Sequence, residues 1–533
     1  MEFAKSFNLF GVEGKEIPCI TGSGAPSVAT KGAVGCLYMD TNTGYIYKCR
    51  AAENGVYTWE KSNDSYTTPE MFGAVGDGVT DDTEAMRQAF QYPFVLLDGG
   101  HKYFISEPIT AGAAFRRLNG SGATIILKEK AAEGAEQEYF LTVFNTDNVV
   151  IEHLSIEATK NLPAIHNPAG DPQDGEKESS WCGIGFRHCS NISVRDVTAK
   201  NLNYTIHISH GDYKDLLEQC NRNILLENIH SYNCKMHIFA CYCTNLNIYG
   251  TKHQLNEPTS KGWHTYYMES FVGDVVISGD FIDISNTIAL YSPYDFASYN
   301  GAENNANRNI VVSNFICKGN RLYNLHSSPK FIKFADGFFW YSCATTNPIG
   351  HLESFSGRLE FDNCTFYNED SPVGYLESGI IEALDIPIVY KGCTFKGFRP
   401  VLYTIWDYYV PYSANVFTNC YFEVDDSTGL TPIPCHGYAK FSGCHFYGSV
   451  GYTPSFVTKQ NESLVEVDGK LYFDNCKFES TSTAYLTGPE INKGETCFNN
   501  CQLITTAGTN NNRYFRTQPT KDCNTVVNYA LVT

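Results

Sequence analysis

Three side chains able to move protons recur at one equal interval along the chain: His207, His237 and Tyr267. Each lies in a short segment of alternating apolar residues, namely YTIHISHGD (204–212), KMHIFACY (235–242) and HTYYMES (264–270). Side chains on a strand point alternately to its two faces. With Ile206, Ile208, Met236, Ile238, Tyr266 and Met268 turned inward, the two histidines, Tyr267 and Glu269 are expected to face out. If that interval makes one turn of a repeating fold, His207, His237 and Tyr267 stack as an outward row. The segments SWCGIGFRH (180–188) and NTIALYS (286–292) extend the pattern, and a second row is expected to hold Arg187, Ser209, Phe239, Glu269 and Tyr291.

Two chemistries fit such a row. Hydrolysis of a glycosidic bond needs two carboxylates, about 5–5.5 Å apart for retention or about 6.5–9.5 Å for inversion. Glu269 with Asp212, Asp215 or Asp295 from the neighbouring loops would have to supply them. β-Elimination from a uronic acid needs a base for the C5 proton, an acid for the leaving oxygen and a cation beside the carboxylate. His237 suits the first role, Tyr267 the second, and Lys235 or Arg187 the third. The expected catalytic set is therefore His207, His237, Tyr267 and Glu269, with no metal and no cofactor. Arg187, Lys235, His264, Tyr291, Asp212 and Asp295 are the expected substrate contacts. Ordinary surface residues of a strand would alternate in the same way. The shared interval, and the long polar segments that flank these strands alone, favour a groove.

Such a row needs a scaffold that returns the chain to one face at each turn. Past position 140 the sequence repeats: DNCTF (362–366), KGCTF (391–395), TNCYF (418–422), SGCHF (442–446), DNCKF (474–478) and, more weakly, NNCQL (499–503). Their cysteines, Cys364, Cys393, Cys420, Cys444, Cys476 and Cys501, recur at short but uneven intervals. Those intervals all fall within the period of about 20–50 residues that marks solenoid repeats. Carried by short strands, they predict a parallel β-solenoid with one coil per repeat and loops of variable length. NVVIEHLSI, NISVRDVTA, NILLENIHS, DVVISGDFI and NIVVSNFIC are the matching strands of earlier coils. About a dozen coils, at a strand spacing of about 4.8 Å, make a rod on the order of 55–60 Å long. The first coil of a solenoid exposes its core and must be covered. MFGAVGDGVTDDTEAMRQAF (71–90) supplies an amphipathic helix for this, with Ala85, Met86, Ala89 and Phe90 on one face. Asp77, Asp81 and Asp82 are expected to cap and turn there rather than to bind a cation.

Composition narrows the partners. Lys and Arg number 39 against 58 Asp and Glu, a net charge of −19, which repels phosphate backbones and argues against nucleic acid. Only 18% of residues are charged, whereas Tyr and Phe number 35 and 34, which favours a neutral aromatic surface. No apolar run approaches the roughly 20 residues of a membrane span. The N-terminus MEFAKSFNLFGVEGKEIP lacks the basic end and apolar core of a signal peptide. The 20 cysteines lack paired CxxC spacing and are expected to be buried free thiols in a chain made and folded in a cytoplasm. Residues 1–65 stand apart, with three short strands joined at TNTG and AENG and pinned by Trp59.

FGAVGDGVTDDTEAMRQAF, followed by LLDGGHKYFIS and NGSGATII, resembles the entry motif of the pectate-lyase-like right-handed β-helix superfamily, in the branch that includes phage tailspikes. The preceding GAPSVATKGAVGCLYMDTNTGYIYKC and YTWEK resemble a small module found near the start of phage and prophage tail proteins. Together they cover the chain from its start to Ile126, and the coil pattern covers most of the rest as architecture. The resemblance implies an all-β chain, a right-handed parallel β-helix with a short N-terminal capping helix and a small β module. Residues 1–65 would attach to the virion, 66–130 form the entry and cap, 131–505 the β-helix with glycan-binding loops, and 506–533 a C-terminal cap or association segment. It places the strands just named on the face where polygalacturonase-type enzymes keep catalytic aspartates, although their paired aspartates are missing here. The implied function is that of a phage tailspike or receptor-binding protein that recognises and degrades a bacterial surface polysaccharide. Its implied partners are that glycan, phage tail or baseplate proteins and further copies in a homotrimer, within a virion assembled in the host cytoplasm. The alternative is a non-catalytic glycan-binding adhesin or a structural tail protein. A secreted pectate lyase fits the N-terminus less well.

Overall fold

Asparagine, glycine and aspartate tolerate the left-handed backbone region better than other residues. Here they occupy the corners of the fold. Asn363, Asn419, Asn475 and Asn500 have φ of 53°, 53°, 53° and 50°, and Gly392 and Gly443 fill the same corner at 61° and 64°. At another corner Asn148, Asn191, Asn223 and Asn245 stack, each later amide donating to the one before at 3.2, 2.9 and 3.1 Å. In the computed structural model of the chain, residues 4–7, 17–41, 46–61, 66–128, 138–159, 181–209, 220–256, 264–285, 293–297, 309–319, 321–326, 330–341, 348–353, 357–368, 374–378, 388–403, 415–424, 438–448, 456–460, 463–467, 470–480, 495–505, 521–523 and 526–529 are described.

Between the corners the chain is extended, and among the described residues the strands of one 40-stranded sheet pair in parallel from coil to coil and wind into a right-handed parallel β-helix, while Phe456–Gln460 and Ser463–Val467 form a separate antiparallel pair. It has three faces. The first contains Asp147–Glu152 and the parts of later coils in register with it, the second begins at Ser155, and the third contains Trp181–Arg187 and Tyr204–Ser209. Phe94–Leu96 and Lys102–Ile105, around the Gly99–Gly100 turn, each pair forward onto the next coil. Lys521–Cys523 and Val526–Tyr529 pair in parallel on Cys497–Asn499 and Gln502–Thr505. The coil stack therefore runs on into 506–533, where the sequence suggests a departure from it. A separate five-stranded sheet spans Ala4–Phe7 to Val56–Lys61. In it Trp59 Nε1 donates to the Thr30 carbonyl at 3.0 Å and its ring lies against Tyr38.

The repeated motif now has a physical meaning. In DNCTF, Asn363 makes the left-handed corner, Cys364 turns inward, Thr365 faces out and Phe366 is buried. On the first face one inward column runs Val194, Leu226, Ile248, Ile277, Val312 and then Phe334, Phe361, Tyr390 and Phe417, so the core changes from aliphatic to aromatic along the rod. Successive rings in the aromatic half stack at 4.7–5.1 Å. The corner column ends in six buried free thiols, Cys364 to Cys501. Cys420, Cys444, Cys476 and Cys501 each donate to an aromatic residue's carbonyl one coil back, at 3.4–3.5 Å.

The helix Thr83–Ala89 closes the first coil, with Met86, Ala89 and Phe90 fully buried and the Phe90 ring edge-on to Phe115 at 5.4 Å. Asp82 is its N-cap by position, but its carboxylate accepts instead from the amides of Val75 and Gly76 at 2.7 and 3.1 Å. Asp81 takes the Thr83 amide at 3.0 Å, and Asp77 those of Val79 and Thr80 at 2.8 and 2.7 Å. All three aspartates thus hold the entry loop.

Three adjoining coils carry a buried polar island. Asp280, 2% exposed, accepts from Thr251 Oγ1 at 2.8 Å and Tyr294 O–H at 3.1 Å, while Tyr266 O–H lies 2.5 Å from Thr251 Oγ1. His253 Nδ1 lies 2.8 Å from Thr265 Oγ1, and its Nε2 lies 3.0 Å from the Cys234 carbonyl. Burial opposes charge on both groups: it raises the Asp280 carboxyl from 3.8 to about 6 and lowers the His253 imidazole from 6.5 to about 4. The histidine's contribution to stability is present above pH 6.5 and is lost as pH falls through 4, by about 3 kcal/mol. The aspartate works the other way, since between pH 6 and 3.8 the folded state binds the extra proton, and stability rises by about 3 kcal/mol on acidification. The two oppose each other in the parent. Asp280→Asn is expected to leave the histidine loss exposed, so its melting temperature should fall more steeply than the parent's between neutral and acid pH. Parallel melting curves across that range would refute this balance.

Candidate active site

The third face carries the strands expected to do chemistry, and its register redraws the row. His207 pairs with Phe239, Phe239 with Tyr267, Tyr267 with Asp295, and Asp295 with Asn324. Phe239 therefore belongs to the His207 row and not to the row of Arg187 and Ser209, which do pair as expected. His237 does not join them. The amides of His237 and Ile238 both donate to the Thr265 carbonyl, at 3.2 and 2.9 Å, so strict alternation breaks at this strand start and both side chains turn inward. His237 is fully buried in the polar island, its ring stacked on His253 at 5.7 Å and its Nδ1 2.7 Å from Ser231 Oγ. Burial holds its pKa well below the ordinary imidazole range, with His253 and His230 adding to the effect. It is a core residue.

The remaining groups stack in one row on the outer side of the face, where Phe239 and Tyr267 are half-buried while Tyr139, His207 and His264 are buried beneath the surface. The Tyr139 and His207 rings stack at 5.6 Å and are joined by a hydrogen bond between Tyr139 O–H and His207 Nδ1. His207 meets Phe239 at 4.5 Å, Phe239 stacks on Tyr267 at 5.2 Å, and Tyr267 stacks on His264 at 5.5 Å. At the end of this row His264 Nε2 lies 3.2 Å from Asp295 Oδ2, which also accepts from Asn324 Nδ2 at 2.7 Å. Asp295 is 2% exposed, and its Oδ1 has no hydrogen-bond partner among the described residues. Tyr139, Cys182, Tyr204 and Met236 make an apolar cluster separate from the main core, with Phe239 and Tyr267 packed against it.

Of the other expected residues, Arg187 lies 5.7 Å over the Tyr139 ring, and Lys235 is buried beside the cluster, where its charge acts on the Cys182 thiol. Glu269 stands in strand register with Cys241 and Ala297. Tyr291 and Asp212, with most of the long segments expected to wall the face, lie outside the described residues. Sequence reasoning missed Tyr139 and Asn324: alternation along Tyr323–His326 would have found Asn324, whereas Tyr139 shares the parity of inward Leu141 and Val143 and turns out only because Phe140 and Leu141 are both buried in the core. Among the described residues no three His, Cys, Asp or Glu side chains converge as a metal-binding set. No described helix is long and apolar enough to cross a membrane.

The arrangement can orient a proton-transfer group. A carboxylate facing Nε2 keeps the proton on that nitrogen and leaves Nδ1 of His264 as the basic one. Tyr267, stacked against the same imidazole, carries a hydroxyl. The part-exposed rings of Phe239 and Tyr267 suit the apolar faces of sugar rings.

No protein-family model matches the chain. Over 64 residues, 10% of this chain and 8% of the other, it is 42% identical to a capsule K30/K69-specific depolymerase of Klebsiella phage K64-1. It thus spans less than a tenth of that relative's length. Among solved structures it is similar to tailspike protein 3 of bacteriophage CBA120, at 10% identity and a TM-score of 0.38, over 89% of this chain and 64% of that one. It is also similar to an exopolygalacturonase of Thermotoga maritima, at 12% identity and a TM-score of 0.37, over 76% of this chain and 94% of that one. The coil register and corner geometry make the chain a right-handed parallel β-helix protein.

Proposed function

We propose that the chain is a phage tailspike that binds a bacterial surface polysaccharide and cleaves it on the third face of its β-helix. The observation that carries this reading is the stacked row from Tyr139 through His207, Phe239 and Tyr267 to the His264–Asp295 pair. The local likeness to a capsule depolymerase supports it. The reaction is β-elimination at a uronic acid: Nδ1 of His264 takes the C5 proton, the C4–O bond breaks as the C4–C5 double bond forms, and Tyr267 returns a proton to the leaving oxygen. Arg187 and Lys235, both beside this row, supply positive charge for the sugar carboxylate. A second reading, hydrolysis, rests on Asp295 and Glu269, which stand on adjacent coils two positions apart. The residues before the β-helix attach the protein to the virion, and three copies assemble side by side.

Incubation with a panel of bacterial capsular polysaccharides tests the reading. A fall in polymer size with new ultraviolet absorbance from an unsaturated uronate is the expected result. Shortening without that absorbance assigns hydrolysis, and binding without shortening assigns an adhesin. Neither binding nor shortening with any capsule would overturn the reading.

A further inference from the structure

The second face of the β-helix carries an outward aromatic and basic stripe. One row runs Lys252, Phe281, Ile316 and Phe338, and the next runs Asp283, Lys318, Trp340 and Tyr367, with one residue from each coil. Phe281 is 40% exposed and Ile316 52%, and Phe338, Trp340 and Tyr367 are half-buried beside them. A contiguous exposed apolar patch of this kind marks an interaction surface. Lys252 Nζ lies 5.5 Å from both the Tyr232 and Phe281 rings, and Lys318 Nζ lies 4.9 Å from the Trp340 ring.

Among the described residues neither lysine is paired with a carboxylate. Further along the same face the cations are neutralised, Lys396 by Glu423 at 3.1 Å and Lys477 by Glu479 at 2.6 Å. Asp283, the one acid in the stripe, has its Oδ1 engaged by the amide and hydroxyl of Ser285 at 3.2 and 2.6 Å. The stripe is thus aromatic and locally positive on a chain whose net charge is −19.

We propose that this stripe is a second carbohydrate-binding surface, one that takes an acidic polysaccharide lying along the rod. Sugar rings stack on Phe281, Phe338, Trp340 and Tyr367, and the sugar carboxylates meet Lys252 and Lys318. Opposite charge is what commits the surface to an acidic glycan rather than to a second copy of this acidic chain. The inference rests on the reading that the ligand is a polysaccharide, but not on cleavage. The two surfaces lie on different faces, so one strand engaged by the stripe is held while another part of the polymer enters the third face.

Affinity electrophoresis of the full chain in gels containing alginate, polygalacturonate or hyaluronan, with dextran as the neutral control, tests this. Retardation in at least one acidic gel is expected, weakened several-fold by Trp340→Ala and by Lys318→Gln and reduced by added salt. Retardation that remains in Tyr267→Ala and falls in the stripe variants belongs to the stripe. Melting temperatures confirm that each variant is folded. Absence of retardation in all three acidic gels overturns the proposal, as does equal retardation of parent and both stripe variants. Retardation by dextran alone also removes the stripe, while leaving the third-face reading intact. Concentration-dependent self-association abolished by Trp340→Ala would reassign the surface to contacts between copies. Loss of capsule binding in Tyr267→Ala but not in the stripe variants would separate failure of this inference from failure of the function it rests on.

Discussion

Phe417→Ala is expected to destabilise the β-helix by about 3–5 kcal/mol, the range for removing a buried phenylalanine. Phe417 is 1% exposed and sits at the centre of four rings. Tyr390 and Phe441 stack on it at 4.7 and 4.8 Å from the coils on either side, and Phe422 and Phe395 meet it edge-on at 5.5 and 6.1 Å. Alanine would leave a cavity that the neighbours cannot close, because each is held by its own stacked partner. In a solenoid each coil leans mainly on its neighbours, so the loss should fall on the C-terminal coils first. Phe417→Leu keeps most of the volume and should cost about 1.5 kcal/mol or less. Denaturant titration followed by near-ultraviolet circular dichroism reads the difference. An alanine variant with the parent's midpoint would show that the aromatic column does not carry the stability assigned to it.

The coil pattern was legible because each repeat states its own geometry. A left-handed corner admits Asn or Gly, the next position admits a small inward side chain, and two positions later the interior takes an aromatic, so DNCTF, TNCYF and DNCKF report the fold directly. The capping helix was legible for a similar reason: Met86, Ala89 and Phe90 must lie on one face and all are buried. Register was the harder quantity. Loop lengths vary, so equal spacing along the chain does not mark one coil. Phe239 is exactly one coil beyond His207, and Tyr267 one coil beyond Phe239, yet the first step takes more of the chain than the second. Alternation failed at strand starts on this face: His237 and Ile238 share one carbonyl acceptor and both turn inward, and Phe140 and Leu141 are likewise both in the core. The polar island that receives His237 also could not be read in advance. Ser231 and His253 come from separate strands and Asp280 from the turn before Phe281–Asp283, and each looks like an ordinary surface residue in its own segment. Asp295, named in the sequence only as a loop acid beside the groove, proves to be the next rung after Tyr267.

Asp295→Asn is the substitution expected to affect cleavage most, by about 10²- to 10⁴-fold in kcat, the usual scale of a positioned acid–base group. In the β-elimination reading Asp295 is a positioning residue. Its Oδ2 faces His264 Nε2 at 3.2 Å and is itself steadied by Asn324 at 2.7 Å, so the amide variant loses the negative partner that selects the tautomer. The pH profile separates this from simple damage. A carboxylate beside an imidazole stabilises the protonated form, so its removal lowers the imidazole pKa. The rising limb of kcat against pH should therefore move to lower pH in the residual activity. If Asp295 instead acts directly in hydrolysis, the variant should lose that limb altogether and no unsaturated product should appear from the parent. His237→Gln provides the contrast. Its ring packs on His253 and Tyr266 in the interior, so the variant should melt at lower temperature yet cleave like the parent per folded molecule. Parent-like cleavage by folded Asp295→Asn would remove the His264–Asp295 pair from the chemistry. Lost cleavage in a stable His237→Gln would instead restore the row that equal spacing suggests.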